Sequence, residues 1–156
     1  MTTRIEMQQA TQSAPSLFSK LLRVSPLAML ASTVANLGIY AVAGRISPAV
    51  SAWSGAGPGQ IVGATVVYLL MGAIAAAAVA RISQNPVRHF TVLATVGLLL
   101  SMALPIGALF GYGTPPGTPP AEVVTAITLG LMHIASYAIS VPLFNRLALG
   151  EIATES

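Results

Sequence analysis

The chain has 156 residues, 54% of them hydrophobic and only 7% charged, with a formal net charge of +3. Soluble globular domains carry about 25% charged residues, so an ordinary soluble domain is excluded, and the basic residues are too sparse to form a nucleic-acid surface. With no cysteine, disulfides, thiolate catalysis and Cys-held zinc or iron–sulfur centres are excluded within the chain.

The polar, Thr-, Gln- and Ser-rich residues 1–24 read as a disordered cytoplasmic tail. Ser25 and Pro26 form a plausible N-cap and first helical residue for a first apolar span over residues 27–44. Ser32, Thr33, Asn36 and Tyr40 share one face of it, with Asn36 near mid-depth. An alternative takes Lys20 and Arg23 as the charged region of a signal peptide cleaved after Ala43, which leaves a chain starting at Gly44. The long tail and the interruption at Asn36 favour retention.

A Gly/Pro/Ser-rich loop follows, in which Trp53 suits the headgroup level. The second span, residues 61–80, carries the small-residue pattern Gly72, Ala76, Ala80. That spacing lets a neighbouring backbone come close, within the chain or on a partner. Asn85 can cap and Pro86 can open a third span over residues 90–110. Gly97, Ser101 and Pro105 lie on its adjacent turns, Gly97 as a packing position. Pro105 cannot donate to the carbonyl of Ser101, so a kink is expected. After a second Gly/Pro loop comes the fourth span, residues 122–144, where Pro142 leaves the carbonyl of Ala138 free, and a tail over residues 147–156.

A hydrocarbon slab about 30 Å thick needs roughly 20 helical residues, and four such segments are present. The expected fold is an all-α integral membrane four-helix bundle with up-down topology, in one domain over residues 25–146. Lys20, Arg23, Arg81, Arg88 and Arg146 then share one side of the membrane, and Arg45 lies on the other. By the positive-inside rule both termini are cytoplasmic and the protein is a multi-pass resident of the cytoplasmic (inner) membrane.

Chemistry, if any, is expected along the fourth span. At roughly 100° per residue, Glu122, Thr125, Gly130, His133, Ser136, Tyr137 and Ser140 fall on one side and Val, Ile and Leu on the other. His133, Asn36 and Ser101 lie at about the same depth. Unsatisfied polar groups in hydrocarbon cost several kcal/mol each, so these three are expected to find one another. One reading is an interhelical hydrogen-bond cluster that fixes packing. The other is a path or pocket for a proton or lipophilic ligand through Glu122, His133 and Ser140.

Metal and haem fit poorly. His133 has Leu129, Gly130, Ser136 and Tyr137 at helical spacing, none of them a good second ligand. His89 is roughly 16 Å from it in depth, so a shared iron would need two copies of His133. A Ser136–His133 or Ser140–His133 nucleophile pair is geometrically possible, but a membrane serine more often bonds a backbone carbonyl. No cofactor is expected, and enzyme is the weakest class.

Three segments carry a resemblance: Asn-Pro-Val-Arg-His-Phe at 85–90, Leu-Leu-Leu-Ser-Met-Ala-Leu-Pro-Ile at 98–106, and Leu-Met-His-Ile-Ala-Ser-Tyr-Ala-Ile-Ser-Val-Pro-Leu at 131–143. The chain from Pro26 to Arg146 resembles a bacterial family of small four-helix membrane proteins known as a domain of unknown function. His133 after Leu-Met, with Pro142 later in the same helix, is its most specific part. The resemblance implies the four-span fold and a bacterial cytoplasmic membrane, and it brings no activity or site residue. The expectation is a non-enzymatic structural or accessory protein whose partners are the bilayer and another membrane protein or a second copy. A small binding or transport module around His133 is the alternative.

Overall fold

The computed structural model describes residues 17–112 and 116–150. The other residues of the two expected tails, 1–16 and 151–156, lie outside them. About 83% of the described residues are helical and none is in a strand. In chain order the helices are α1 (Leu17–Ile46), α2 (Pro48–Ala52), α3 (Pro58–Ile82), α4 (Pro86–Ser101), α5 (Ala103–Ala108) and α6 (Val123–Phe144). A π-helical turn, Asn145–Leu149, continues α6. Four stretches are long and apolar enough to cross a membrane: Leu17–Ile46, Pro58–Ile82, Pro86–Ala108 and Val123–Leu149.

The first span is longer than its sequence signals suggest. The helix begins at Leu17, so residues 17–24, expected in the tail, are helical, and Pro26 lies inside the helix instead of opening it. Packing explains the difference. Leu21, Val24 and Ala28 are buried with Val79 of α3, Phe90 of α4, Phe144 at the end of α6 and Leu149 just beyond it. Contacts of that kind outweigh a local cap signal, because most helical stability comes from packing.

This core brings together the start of α1, the end of α3, the start of α4 and the end of α6, so successive spans run antiparallel. At its centre the Phe90 and Phe144 rings meet edge to face, centroids 5.7 Å apart, a geometry their quadrupoles favour. α1 packs along both α3 and α6, and α4 closes the ring between those two.

The connections also depart from expectation in detail. Pro86 opens α4, but the Asn85 side chain makes no capping bond. Ser83 Oγ instead accepts from the Asn85 backbone N–H, just before the helix, at 3.0 Å and meets His89 Nδ1 at 2.5 Å. The third span is interrupted near Pro105, at Met102 between α4 and α5, where the Met102 N–H is shared between the carbonyls of Leu98 and Leu99. At the opposite end Trp53 Nε1 donates to the carbonyl of Pro119 at 2.8 Å and ties the two long loops together. A Cβ on Gly55 would overlap the Trp53 ring, so only glycine fits beneath it.

Phe144 is 1% exposed, and Phe144→Ala would leave a cavity under Phe90. Transfer to lipid lacks the water term that operates in soluble cores, so the loss should fall at the low end of the usual range, about 3 kcal/mol. Reversible unfolding of the purified chain in mixed micelles measures it.

Candidate functional site

The polar residues of the spans meet in a pattern built on threonine. A Thr or Ser hydroxyl inside a helix commonly gives its hydrogen to the carbonyl four residues back. Thr65, Thr91, Thr95 and Thr128 all do so, to Ile61, Val87, Thr91 and Val124, at 2.7–2.8 Å. Once that hydrogen is committed, the oxygen can only accept. Three of these oxygens accept from a neighbouring helix.

Asn36 of α1 supplies the first contact. Its Nδ2 donates to Thr65 Oγ1 of α3 at 3.0 Å and to Ser136 Oγ of α6 at 2.9 Å, so one amide joins three spans. Asn36 is 4% exposed. Tyr137 of α6 supplies the second: its hydroxyl lies 2.7 Å from Thr95 Oγ1 of α4. Because Thr95 already donates to its own helix, Tyr137 is the donor. Asn145, in the π-helical turn, supplies the third, Nδ2 to Thr91 Oγ1 at 2.8 Å.

The cluster of Asn36, Ser101 and His133 expected from depth alone is therefore not what the chain builds. Asn36 takes Thr65 and Ser136 instead. Ser101 Oγ donates to the carbonyl of Leu98 at 2.7 Å. His133 Nδ1 lies 2.8 Å from the carbonyl of Leu129, and since a carbonyl only accepts, Nδ1 carries a hydrogen. The ring stands 6.5 Å from that of Tyr68, tilted by 56°. Residues 133 and 136 differ by about 60° around a helix of 3.6 residues per turn. That rotation turns His133 away from Asn36 towards α3.

The rest of the stripe is divided. Glu122 is exposed, sits at the N-cap of α6 without a side-chain capping bond, and lies about three turns from His133. Ser140 is buried. Four buried oxygens, Ser32 Oγ and Asn36 Oδ1 of α1, Thr125 Oγ1 of α6 and Asn145 Oδ1 of the π-helical turn, have no hydrogen-bond partner among the described residues. Among the described residues no three His, Asp or Glu side chains converge on a common point.

The small-residue positions separate in the same way. Ala76 is fully buried and Ala80 packs against the core. A Cβ on Gly72 or Gly97 would meet no atom within 4 Å, so neither glycine is required by a helix contact inside the chain. Thr65, Thr91, Thr95 and Asn145 were not singled out from the sequence. The Thr91–Thr95 spacing, one turn apart on an otherwise apolar span, was the available signal.

Two donated bonds against one predict an order of effects. With interhelical bonds in membranes worth about 0.6 kcal/mol on average and up to about 1.7, Asn36→Leu should destabilise by about 1–2 kcal/mol and Tyr137→Phe by about half that. Unfolding of both variants in the same micelles tests the order; equal losses would contradict a joining role for Asn36.

No curated protein and no solved structure matches the chain. A family model does match, over residues 17–149. Its limits run from the first turn of α1 to the last residue of the π-helical turn, beyond both ends of the resemblance read from the sequence. By this match the chain belongs to the family of unknown function DUF6069.

Proposed function

We propose that the chain is a non-enzymatic structural or accessory protein of a bacterial cytoplasmic membrane, with both termini in the cytoplasm, acting by binding another membrane protein or a second copy of itself. The observation that carries this reading is the commitment of the intramembrane polar groups to one another. Asn36, Tyr137 and Asn145 spend their donors on interhelical bonds, and His133 bonds its own helix. Outward faces are apolar, with Ile74, Leu99 and Leu100 among the most exposed side chains. An unassigned polar group that faced a path would have supported chemistry more strongly.

The alternative, a binding or transport module, draws on the unpartnered oxygens of Ser32, Asn36 and Thr125, which lie on the two spans that also carry the Asn36–Ser136 bond. Native mass spectrometry of the chain released gently from its own membrane, beside His133→Leu, separates the two. The accessory reading expects both to carry the same protein partner or lipid alone. A small molecule present on the wild type and missing from the folded variant would favour the module.

Orientation rests on the basic residues: Arg23, Arg81, Arg88 and Arg146 gather at the end with the Phe90–Phe144 core, and Arg45 at the end with the long loops. The absence of cysteine makes this easy to check. In intact cells a membrane-impermeant thiol reagent should label Ser54→Cys, in the first loop, and should reach Gln84→Cys only after permeabilisation. The reverse pattern would place the termini outside.

A further inference from the structure

Near the loop end of the molecule a depression lies between α1 and α6. Gly38, Val42 and Ile46 of α1, with Thr128 and Leu131 of α6, line a groove of about 430 Å³. Its walls are apolar, and their one hydroxyl, on Thr128, is already given to the carbonyl of Val124. Gly38 floors the deep end, where a Cβ would meet nothing within 4 Å. From Gly38 to Ile46 the groove runs roughly 12 Å along the helix, most of the roughly 15 Å of one leaflet.

Arg45 stands at the shallow end. It is exposed, and seven residues, close to two full turns, separate it from Gly38, so both point in nearly the same direction from α1. The other basic residues of the described chain, Lys20, Arg23, Arg81, Arg88 and Arg146, belong to the opposite end of the spans.

We infer that this groove is a phospholipid site, with one acyl chain seated between α1 and α6 and the lipid phosphate held by Arg45. The charge at its mouth selects the occupant: an apolar partner span laid over this open groove brings no anion to Arg45, whereas a phospholipid carries one at the head of the chain that fills the slot. A polar ligand finds on the walls only the acceptor oxygen of Thr128 and no donor. A guanidinium at the headgroup level pairs with phosphate through two parallel hydrogen bonds, and an apolar slot running inward from it takes the chain attached to that phosphate.

The test is native mass spectrometry of the full chain in detergent titrated with phosphatidylglycerol, and separately with a diacylglycerol of the same chains. Wild type should retain one phosphatidylglycerol at energies that strip bulk lipid, and the diacylglycerol, which lacks phosphate, should leave no adduct. Arg45→Gln should weaken retention by about tenfold, the worth of a charged hydrogen bond, and Arg45→Lys should restore part of it. Gly38→Leu fills the groove from a position with open space, so the fold survives and the lipid is lost. Equal adducts on wild type, Arg45→Gln and Gly38→Leu overturn the site. Retention by Arg45→Gln with loss in Gly38→Leu overturns the phosphate contact. A wild-type dimer without lipid, broken by Gly38→Leu, overturns the lipid in favour of a second copy.

Discussion

The structure depends on a threonine hydroxyl that has given its hydrogen to its own helix. In lipid the hydrophobic effect does not draw helices together, since a neighbouring side chain is no more apolar than an acyl tail. Close packing and directional bonds must decide which helix meets which. A hydroxyl bonded to the carbonyl four residues back is a fixed acceptor, held at one height and one angle on its helix. Thr65, Thr95 and Thr91 offer three such acceptors, and Asn36, Tyr137 and Asn145 each bring a donor to one of them. α1 is thereby joined to α3, and α6 with its π-helical turn to α4. The second Asn36 hydrogen, on Ser136, joins α1 to α6.

These bonds divide the molecule into zones. Between the basic residues at one end sits the apolar core around Phe90 and Phe144, where Val24, Val79 and Leu149 interlock. Thr91 and Asn145 adjoin that core, so the π-helical turn is anchored by packing and by a hydrogen bond together. Pro142 precedes it and withdraws one backbone donor from α6, and the wider turn follows three residues later. At the other end Val50, Ile61, Ala108 and Ala121 are buried, and the Trp53 bond to Pro119 ties the loops together beside them.

The spans themselves were legible, because a run of about 20 apolar residues leaves few alternatives. The partners within the membrane were legible only by half. Counting residues gives depth, and by depth Asn36, Ser101 and His133 belong together. Rotation about each helix axis decides contact, and it depends on packing against neighbours that a single sequence does not name. Hence Ser136, one turn from His133, reaches Asn36 and His133 does not. Thr65 escaped notice because threonine in an apolar helix usually satisfies itself, and that self-satisfaction is what makes it an acceptor here. The early start of α1 was hidden for a related reason: Ser25 and Pro26 look like a helix start locally, whereas Leu21 and Val24 find their partners more than fifty residues away in sequence.

With its donors turned inward, the chain has little polar chemistry left to present to lipid, and recognition from outside must rely on shape and on charges near the headgroups. Shape is uneven around the helices. Gly72 and Gly97 present bare backbone with open space before it, while Leu99 and Leu100 project from the same span as Gly97. Charge is uneven between the ends. A chain that is 7% charged and gathers most of its described basic residues at one end has little with which to hold an anion at the other. Arg45 lies there, beside the open seam of α1 and α6. Glu122 is on the loop side as well, at the head of α6, where a carboxylate suits the positive end of the helix dipole. The two charges are thus complementary to different things, the guanidinium to a headgroup phosphate and the carboxylate to its own helix, which leaves the arginine free to act outwards.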